Sequence, residues 1–340
     1  MYMEDNMMTG SNTGKIRWGI AGPGNIARKF AVAAKNTDCA ELVAVASRSS
    51  DRAHSFAEKY DIDNFFGSYE EMAKSDLVDA VYIATPHPFH KECAEFFLDS
   101  GKHVLCEKPM CINAFQEKSL CETAKRNKVF LMEAMWTRFL PAINMAKEIA
   151  HSGKIGDVMG IEADFCYRLT PEEEPKIFTP DMAGGSLLDV GIYLLHFTAH
   201  FFGTEPESIT AVSNINYGVD CHTNIILKYK DGQMANLTSA TTLHKPENAY
   251  IYGTKGHIYV PDFYTASKIY VCTAKGEKLV EAPFKGNGFE EEIIECCNCI
   301  NAGKTQSDVL PHSESVAIAE QMDEIRRQIG VRYPFDGEDF

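Results

Sequence analysis

Ile16-Arg17-Trp18-Gly19-Ile20-Ala21-Gly22-Pro23-Gly24-Asn25-Ile26-Ala27 is the stretch on which the reading of this chain turns. The apolar run Ile16 to Ala21 breaks at Gly22, and an amphipathic stretch, Asn25 to Lys35, opens directly behind it. That is the strand, tight turn and helix that begin a βαβ unit. The turn spells GxGxxA: Gly22 suits the tight turn, Gly24 lets a ligand approach the backbone, and Ala27 is small enough for close helix packing. A pyrophosphate laid over Gly22, Gly24, Asn25, Ile26 and Ala27 would meet free N–H groups and the positive end of the helix dipole. A glycine-rich turn with no ligand reads the same way in isolation. Its place after a strand, at the head of a βα series, favours a dinucleotide.

Working outward, apolar runs recur at Leu42 to Ala46, Ala80 to Ala84, His103 to Cys106 and Val129 to Met132. Helix-like segments separate them at Arg52 to Tyr60, Tyr69 to Lys74, His90 to Leu98 and Ala114 to Arg126. Runs apolar on both faces predict a doubly wound parallel sheet covered by helices, a Rossmann domain over residues 15–135. After a helix-like Pro141 to His151 the pattern changes to alternating segments: Val158 to Tyr167, Ser208 to Ile215, Thr223 to Tyr229, Gln233 to Thr241, Ala249 to Gly253 and Gly256 to Val260. Turns at Asp231-Gly232 and Lys255-Gly256 suit hairpins, so residues 136–340 predict an α+β domain with a mostly antiparallel sheet. The chain returns through a helix-like Glu290 to Ile300 to a last helix, His312 to Gln328, free to pack back on the first domain.

Composition limits the function classes. At about 150 residues per domain, 340 residues suggest two domains, and a chain 45% hydrophobic and 24% charged is ordinarily globular. A formal charge of -15 with no Lys/Arg cluster disfavours nucleic acid and anionic membrane as partners. The eleven cysteines are scattered through apolar segments, as at Cys106, Cys111, Cys121 and Cys166, and read as reduced thiols of a cytoplasmic protein. Met1 to Gly14 is polar, carries Glu4 and Asp5, and reads as a disordered tail and not a signal peptide. No apolar run is long enough to span a membrane. Cys296-Cys297-Asn298-Cys299 has a CxxC spacing but no second ligand pair nearby, so no metal is expected.

Two further places carry chemistry. Ser47-Arg48-Ser49 closes the second strand, where an acidic residue would take the ribose 2′-hydroxyl of NAD and a basic one the 2′-phosphate of NADP. Two hydroxyls and a guanidinium favour NADP, with NAD still open, and a solvated loop arginine is the plainer account of Arg48. Glu107-Lys108-Pro109 closes a later strand, at the edge where open α/β sheets bind ligands. An exposed turn lysine explains those three residues equally well. In Gly184-Gly185-Ser186-Leu187-Leu188-Asp189-Val190-Gly191-Ile192-Tyr193, an α-helix would set Asp189 and Tyr193 on one face. A tyrosine with an ordinary pKa of about 10 needs a nearby cation to act as acid or base near neutrality, and Lys108 could supply it. A core tyrosine with a satisfied hydroxyl is the commoner meaning of that spacing.

Together these motifs resemble the Gfo/Idh/MocA oxidoreductases, over nearly the whole chain from Lys15. The likeness includes Ala84-Thr85-Pro86-His87-Pro88-Phe89-His90, Glu107-Lys108-Pro109, Met132-Glu133-Ala134-Met135-Trp136-Thr137-Arg138-Phe139, and Gly184 to Tyr193. The run around Trp136 and a tyrosine at 193 look like the branch with dimeric dihydrodiol dehydrogenase and NADP-dependent D-xylose 1-dehydrogenase. The resemblance implies a nicotinamide-dependent dehydrogenase of a sugar or cyclic diol, with Lys108 and Tyr193 as the catalytic pair and Asp189 beside them. It puts His87 near the nicotinamide ribose, adds Thr85, His90 and Glu107 to the cofactor-binding set, and places Trp136, Arg138, Phe165 and Tyr167 at the substrate. It also implies a large open sheet that mediates homodimerisation. The acidic Glu172-Glu173-Glu174 matches neither named activity. An inositol or nucleotide-sugar dehydrogenase, or a regulator that binds the dinucleotide without turnover, are the competing readings; retention of Lys108 and Tyr193 disfavours the regulator.

Overall fold

The computed structural model describes residues 14–337 and 340. The tail expected at Met1 to Gly14 lies, Gly14 apart, outside the described residues. Six strands, β1 (Ile16–Ala21), β2 (Ala40–Ala46), β3 (Asn64–Phe66), β4 (Ala80–Ile83), β5 (His103–Glu107) and β6 (Leu131–Ala134), form one sheet. Its order is β3-β2-β1-β4-β5-β6 and every pairing is parallel. Helices α1 (Asn25–Lys35), α2 (Ser50–Lys59), α3 (Tyr69–Lys74), α4 (His90–Asp99) and α5 (Ala114–Asn127) connect them. This is the doubly wound fold that the alternating pattern predicts.

Each face of the sheet has its own core. Trp18 and Ile20 of β1 pack with Phe30 of α1 and Tyr82 of β4, while Ala21, Val81 and Ile83 face Met72, Phe97 and Leu98 on the other side. Phe30 stacks on Tyr82 with ring centroids 4.0 Å apart, so α1 is clamped to the centre of the sheet. Ala27, fully buried, lets the helix come that close. β3 escapes the sequence pattern because three half-exposed residues are too short to show alternation.

Beyond α6 (Pro141–His151), a second sheet is built from β7 (Val158–Cys166), β8 (Ser208–Asn216), β9 (Val219–Lys228), β10 (Met234–Ala240), β11 (Ala249–Gly253), β12 (Gly256–Val260), β13 (Lys268–Thr273) and β14 (Gly276–Glu281), with α7 (Ile192–Phe202) inserted after β7. Its order is β14-β13-β12-β11-β7-β10-β9-β8, antiparallel except where β7 and β10 pair. The expected hairpins join β9 to β10 and β11 to β12. β13 and β14 were not foreseen: β14 is an edge strand exposed along nearly its whole length, so it carries no burial alternation to read. One face of this sheet stays open, with Val212, Ile226, Met234, Tyr252 and Leu279 exposed. Tyr250, Tyr259 and Tyr270 stack across neighbouring strands of that face.

The chain then returns to the first sheet. Helix α8 (Glu290–Asn301) contacts α1 and β2, and α9 (His312–Ile329) lies on α5. Among the described residues no helix is long and apolar enough to cross a membrane, and no His, Cys, Asp and Glu side chains group as a metal site.

Candidate active site

The strand order of the first sheet reverses between β1 and β4, which opens a crevice at their carboxyl ends. Gly22 turns there with a φ of +95°, and a Cβ on it would stand 2.9 Å from Ala84 O. The crevice wall thus requires glycine. Gly24 caps α1 with no side-chain bond to the helix, and the nearest atom to a Cβ built on it is 3.8 Å away. Free helix N–H groups below open space fit a pyrophosphate. The buried Thr85 hydroxyl, beside Gly22, has no partner within the chain, which suits a polar group of the same ligand. Asn25 is exposed, Ile26 half-buried and Ala27 buried.

At the far end of the crevice Ser47 is buried and accepts from Ser49 N at 3.2 Å, and Ser49 caps α2 by accepting from Arg52 N at 3.4 Å. Arg48 stays exposed, its guanidinium 5.4 Å from the Phe89 ring centroid. Arg52, exposed in the first turn of α2, adds a second cation that sequence reading missed. Its spacing from Arg48 within a helix start was the available signal. Ser47, Arg48 and Ser49 can therefore hold a phosphate monoester.

The catalytic candidates meet on the other side. Asp220 Oδ2 accepts from Ser186 Oγ at 2.8 Å and from Leu187 N at 2.7 Å, and a Cβ on Gly185 would strike Asp220 Oδ1 at 2.2 Å. From this anchor the chain makes a π-turn, Leu187–Gly191, before α7 begins. The expectation of a plain α-helix through Asp189 and Tyr193 is corrected here: their i,i+4 spacing crosses a wider turn. Lys108 joins them instead. Its Nζ donates to Asp189 O at 2.6 Å and Oδ1 at 3.4 Å, and lies 4.9 Å from the Tyr193 ring centroid. Trp136 Nε1 donates to Tyr193 Oη at 3.2 Å, and Tyr167 Oη donates to the other oxygen of Asp189.

Burial and charge oppose one another at these groups. Burial pushes the Tyr193 phenol up to about 12, although the Lys108 ammonium and the Trp136 N–H pull it down. The expected cation is in place and pulls the phenol down, but burial outweighs it and the net shift is upward. Burial pulls Lys108 down, but Tyr193, Asp189 and Glu107 more than reverse it and hold the ammonium above its ordinary value. Asp189 is raised by burial, yet Lys108 and the Tyr167 hydroxyl hold it below the usual carboxylate range. His87, half-buried beside His90 and Lys108, is pushed down to about 3, and its Nδ1 faces Ala183 O at 3.4 Å.

Aromatic rings wall the space above Tyr193. Phe165 lies 5.3 Å from Tyr193 and 4.6 Å from Tyr264, and Trp136 stacks on Phe289 at 5.2 Å, centroid to centroid. Tyr264 and Phe289 were not foreseen. Gly288, just before Phe289, lets the chain pass close to the indole, since a Cβ on it would meet Trp136 at 2.7 Å.

Three expected residues serve differently. Arg138 is corrected as a substrate contact: it is buried in an ion pair with Glu314 and donates to His196 O at 3.4 Å. Buried His90 has Nδ1 2.8 Å from Pro109 O and Nε2 2.6 Å from Thr85 O, so its neutral ring donates to one of two loop carbonyls and presents no free edge to a ligand. Glu107 is buried against the Tyr82 hydroxyl and accepts from Lys108 N at 3.2 Å, and burial lifts it to about 6.

Known proteins carry the same architecture. Residues 16–135 match a family described as an oxidoreductase family with an NAD-binding Rossmann fold, and 143–259 match the Gfo/Idh/MocA C-terminal domain. The trans-1,2-dihydrobenzene-1,2-diol dehydrogenase of Mus musculus is 37% identical over 334 residues, covering 94% of this chain and 99% of that one. The Homo sapiens enzyme of that name is 34% identical with the same coverage. Among solved structures, a 3-ketoreductase from Actinomadura kijaniata, in complex with TDP-benzene and NADP, superposes with a TM-score of 0.83 at 25% identity over 94% of this chain and 99% of its own. A levoglucosan dehydrogenase with NADH and levoglucosan, at 18% identity and a TM-score of 0.85, shares the fold over 93% of this chain and 97% of its own. With both halves matched and relatives alike over nearly their whole length, the chain belongs to the Gfo/Idh/MocA family of oxidoreductases.

Proposed function

We propose that the chain is an NADP-dependent dehydrogenase of cyclic vicinal diols or sugars, with Tyr193 as proton acceptor and Lys108 as its electrostatic partner. One observation carries the reading: Lys108 Nζ stands 4.9 Å over the Tyr193 ring while anchored at 2.6 Å to Asp189 O, beside an aromatic wall. Gly22, Gly24, Asn25, Ile26 and Ala27 would hold the pyrophosphate, with Thr85 and His87 nearby, and Ser47, Arg48 and Ser49 the 2′-phosphate. NADP, when bound, supplies the hydride acceptor for a substrate C–H.

The protein's own residues manage the proton. As the alcohol carbon is oxidised, the departing hydroxyl proton passes to Tyr193 Oη, and in carbonyl reduction the same phenol returns it. Lys108 stabilises the phenolate, Asp189 keeps Lys108 charged and directed, and Trp136 N–H fixes the phenol oxygen. Phe165, Trp136 and Tyr264 favour a flat ring with an apolar face, so a cyclic diol suits the wall better than a fully hydroxylated sugar. Residues 15–135 serve the nucleotide and 136–340 the substrate. Eleven free thiols fit a reducing cytoplasm.

The exposed tyrosine face of the second sheet supports a homodimer, which light scattering would register as twice the monomer mass; a monomer at micromolar concentration would remove that part. The activity is tested by absorbance at the reduced nicotinamide band with NADP+ or NAD+ and a panel of cyclic diols, pentoses, hexoses and inositols. Reduction of NADP+ by a diol or sugar supports the reading. Demonstrable cofactor binding with no turnover of the panel in either direction would count against it.

A further inference from the structure

We propose that Glu133 and His196 are positioning residues for the proton-transfer pair, because one buried carboxylate ties the loop that carries Lys108 to the helix that carries Tyr193. The inference rests on the reading of Lys108 and Tyr193 given above. Glu133, next to last in β6, is 3% exposed. Its Oε1 accepts from Met110 N at 3.0 Å, two residues beyond Lys108. Its Oε2 accepts from Ser315 Oγ at 2.9 Å and lies 3.2 Å from His196 Nε2. His196 stands in α7 one turn beyond Tyr193, and its other nitrogen, Nδ1, is 3.2 Å from Glu314 Oε1.

Carboxylates at both ring nitrogens make His196 an imidazolium that donates in two directions, and their hydrogen bonds outweigh burial in raising its pKa. Glu314 is held in turn by Arg138, which reaches back to His196 O at 3.4 Å. The chain from Met110 through Glu133, His196, Glu314 and Arg138 is therefore closed on itself. His90 Nδ1 lies 2.8 Å from Pro109 O, on the same peptide unit as the Met110 N–H that Glu133 holds.

A stability role alone explains this poorly, since an apolar cluster of equal volume does as well as a buried ionic network in a core. What the network adds is a fixed distance between the loop after β5 and helix α7. Proton transfer depends on that distance: a displacement of about 1 Å at a reacting group can cost on the order of 100-fold in rate.

The test separates kcat for alcohol oxidation from substrate and cofactor affinity, because a displaced Lys108 slows proton transfer without loosening binding. The groups that face Tyr193 are Lys108 and Glu107 from the end of β5, Asp189 from the π-turn, Trp136 N–H and Tyr82 of β4. Those around His196 are Glu133, Glu314, Arg138, His200 on its own helix and, next to His200, Lys147 of α6. Glu133→Gln changes no volume, and His196→Ala removes the bridge outright. For both, kcat at neutrality is expected to fall about 10- to 100-fold as Lys108 drifts from the phenol, with KM for the diol within about twofold of wild type. The NADP+ dissociation constant, read by fluorescence titration, should stay within about twofold, because the network touches no cofactor residue except through the Lys108 loop.

If the folded Glu133→Gln protein keeps the wild-type kcat, the positioning role is overturned, whether its melting temperature falls or not. Tyr193→Phe runs alongside. Its inactivity supports the pair beneath the proposal, so an unchanged kcat in Glu133→Gln then removes only the bridge. Full activity in Tyr193→Phe removes the reading of the pair itself.

Discussion

Tyr193 sits where burial and charge disagree, and the disagreement sets its chemistry. Burial keeps the proton on the phenol, at about 12, while Lys108 and Trp136 favour its loss. Replacing Lys108 by Ala should remove the opposing charge and lower turnover by about 10²- to 10⁴-fold, measurable in steady-state kinetics with the cofactor saturating. Arg48 carries a separable prediction. A hydrogen bond to a charged phosphate contributes about 1.5–3 kcal/mol, so Arg48→Ala should weaken NADP+ about 10- to 100-fold and leave NAD+ nearly unchanged in a fluorescence titration. Equal losses for both cofactors would contradict the 2′-phosphate assignment. At this scale the sequence was legible where residues fall in one local motif, as Gly22, Gly24 and Ala27 do. It misled where partners lie far off. Arg138 reads as a pocket residue beside Trp136, yet its carboxylate is Glu314, separated by 176 positions. No local spacing reveals that pairing.

Elements decide which of these side chains converge. The π-turn at Leu187–Gly191 stands where an α-helix would have set Asp189 and Tyr193 on one face, and Lys108 reaches the Asp189 carbonyl there. An extra residue in a turn leaves no mark in composition, so the local geometry was not readable although the residues were. The carboxyl ends of β1, β4 and β5 bring Gly22, Thr85 and Lys108 to one crevice, and this the βα alternation did disclose. The short β3 and the exposed edge strand β14 were illegible for the converse reason: each buries too little to pattern its residues. Gly22→Ala tests the element that opens the crevice. A left-handed φ of +95° with a backbone oxygen 2.9 Å from the new Cβ should cost roughly 1–2 kcal/mol in a denaturant melt and displace the α1 turn enough to weaken cofactor binding. Unaltered affinity and stability would show that the turn tolerates a side chain.

For the whole molecule, the return of α8 and α9 onto the first sheet ties the two sheets together, and a buried histidine on α7 carries a pH prediction. His200, 6% exposed, is pushed by burial and by nearby Arg138 and Lys147 down to about 2. A folded value below the unfolded 6.5 means that its contribution is complete above pH 6.5 and is lost as pH falls. Between pH 6.5 and 5 the loss amounts to about 2 kcal/mol, so His200→Asn should flatten the fall of melting temperature over that interval. A slope identical to wild type would assign the acid sensitivity elsewhere. The measurement that bears most directly on the central claim is turnover of a cyclic vicinal diol with saturating NADP+ by the wild-type and Tyr193→Phe proteins. A fall of about 10²- to 10⁴-fold with NADP+ affinity intact is the predicted result. An unchanged rate would contradict Tyr193 as the group that carries the proton.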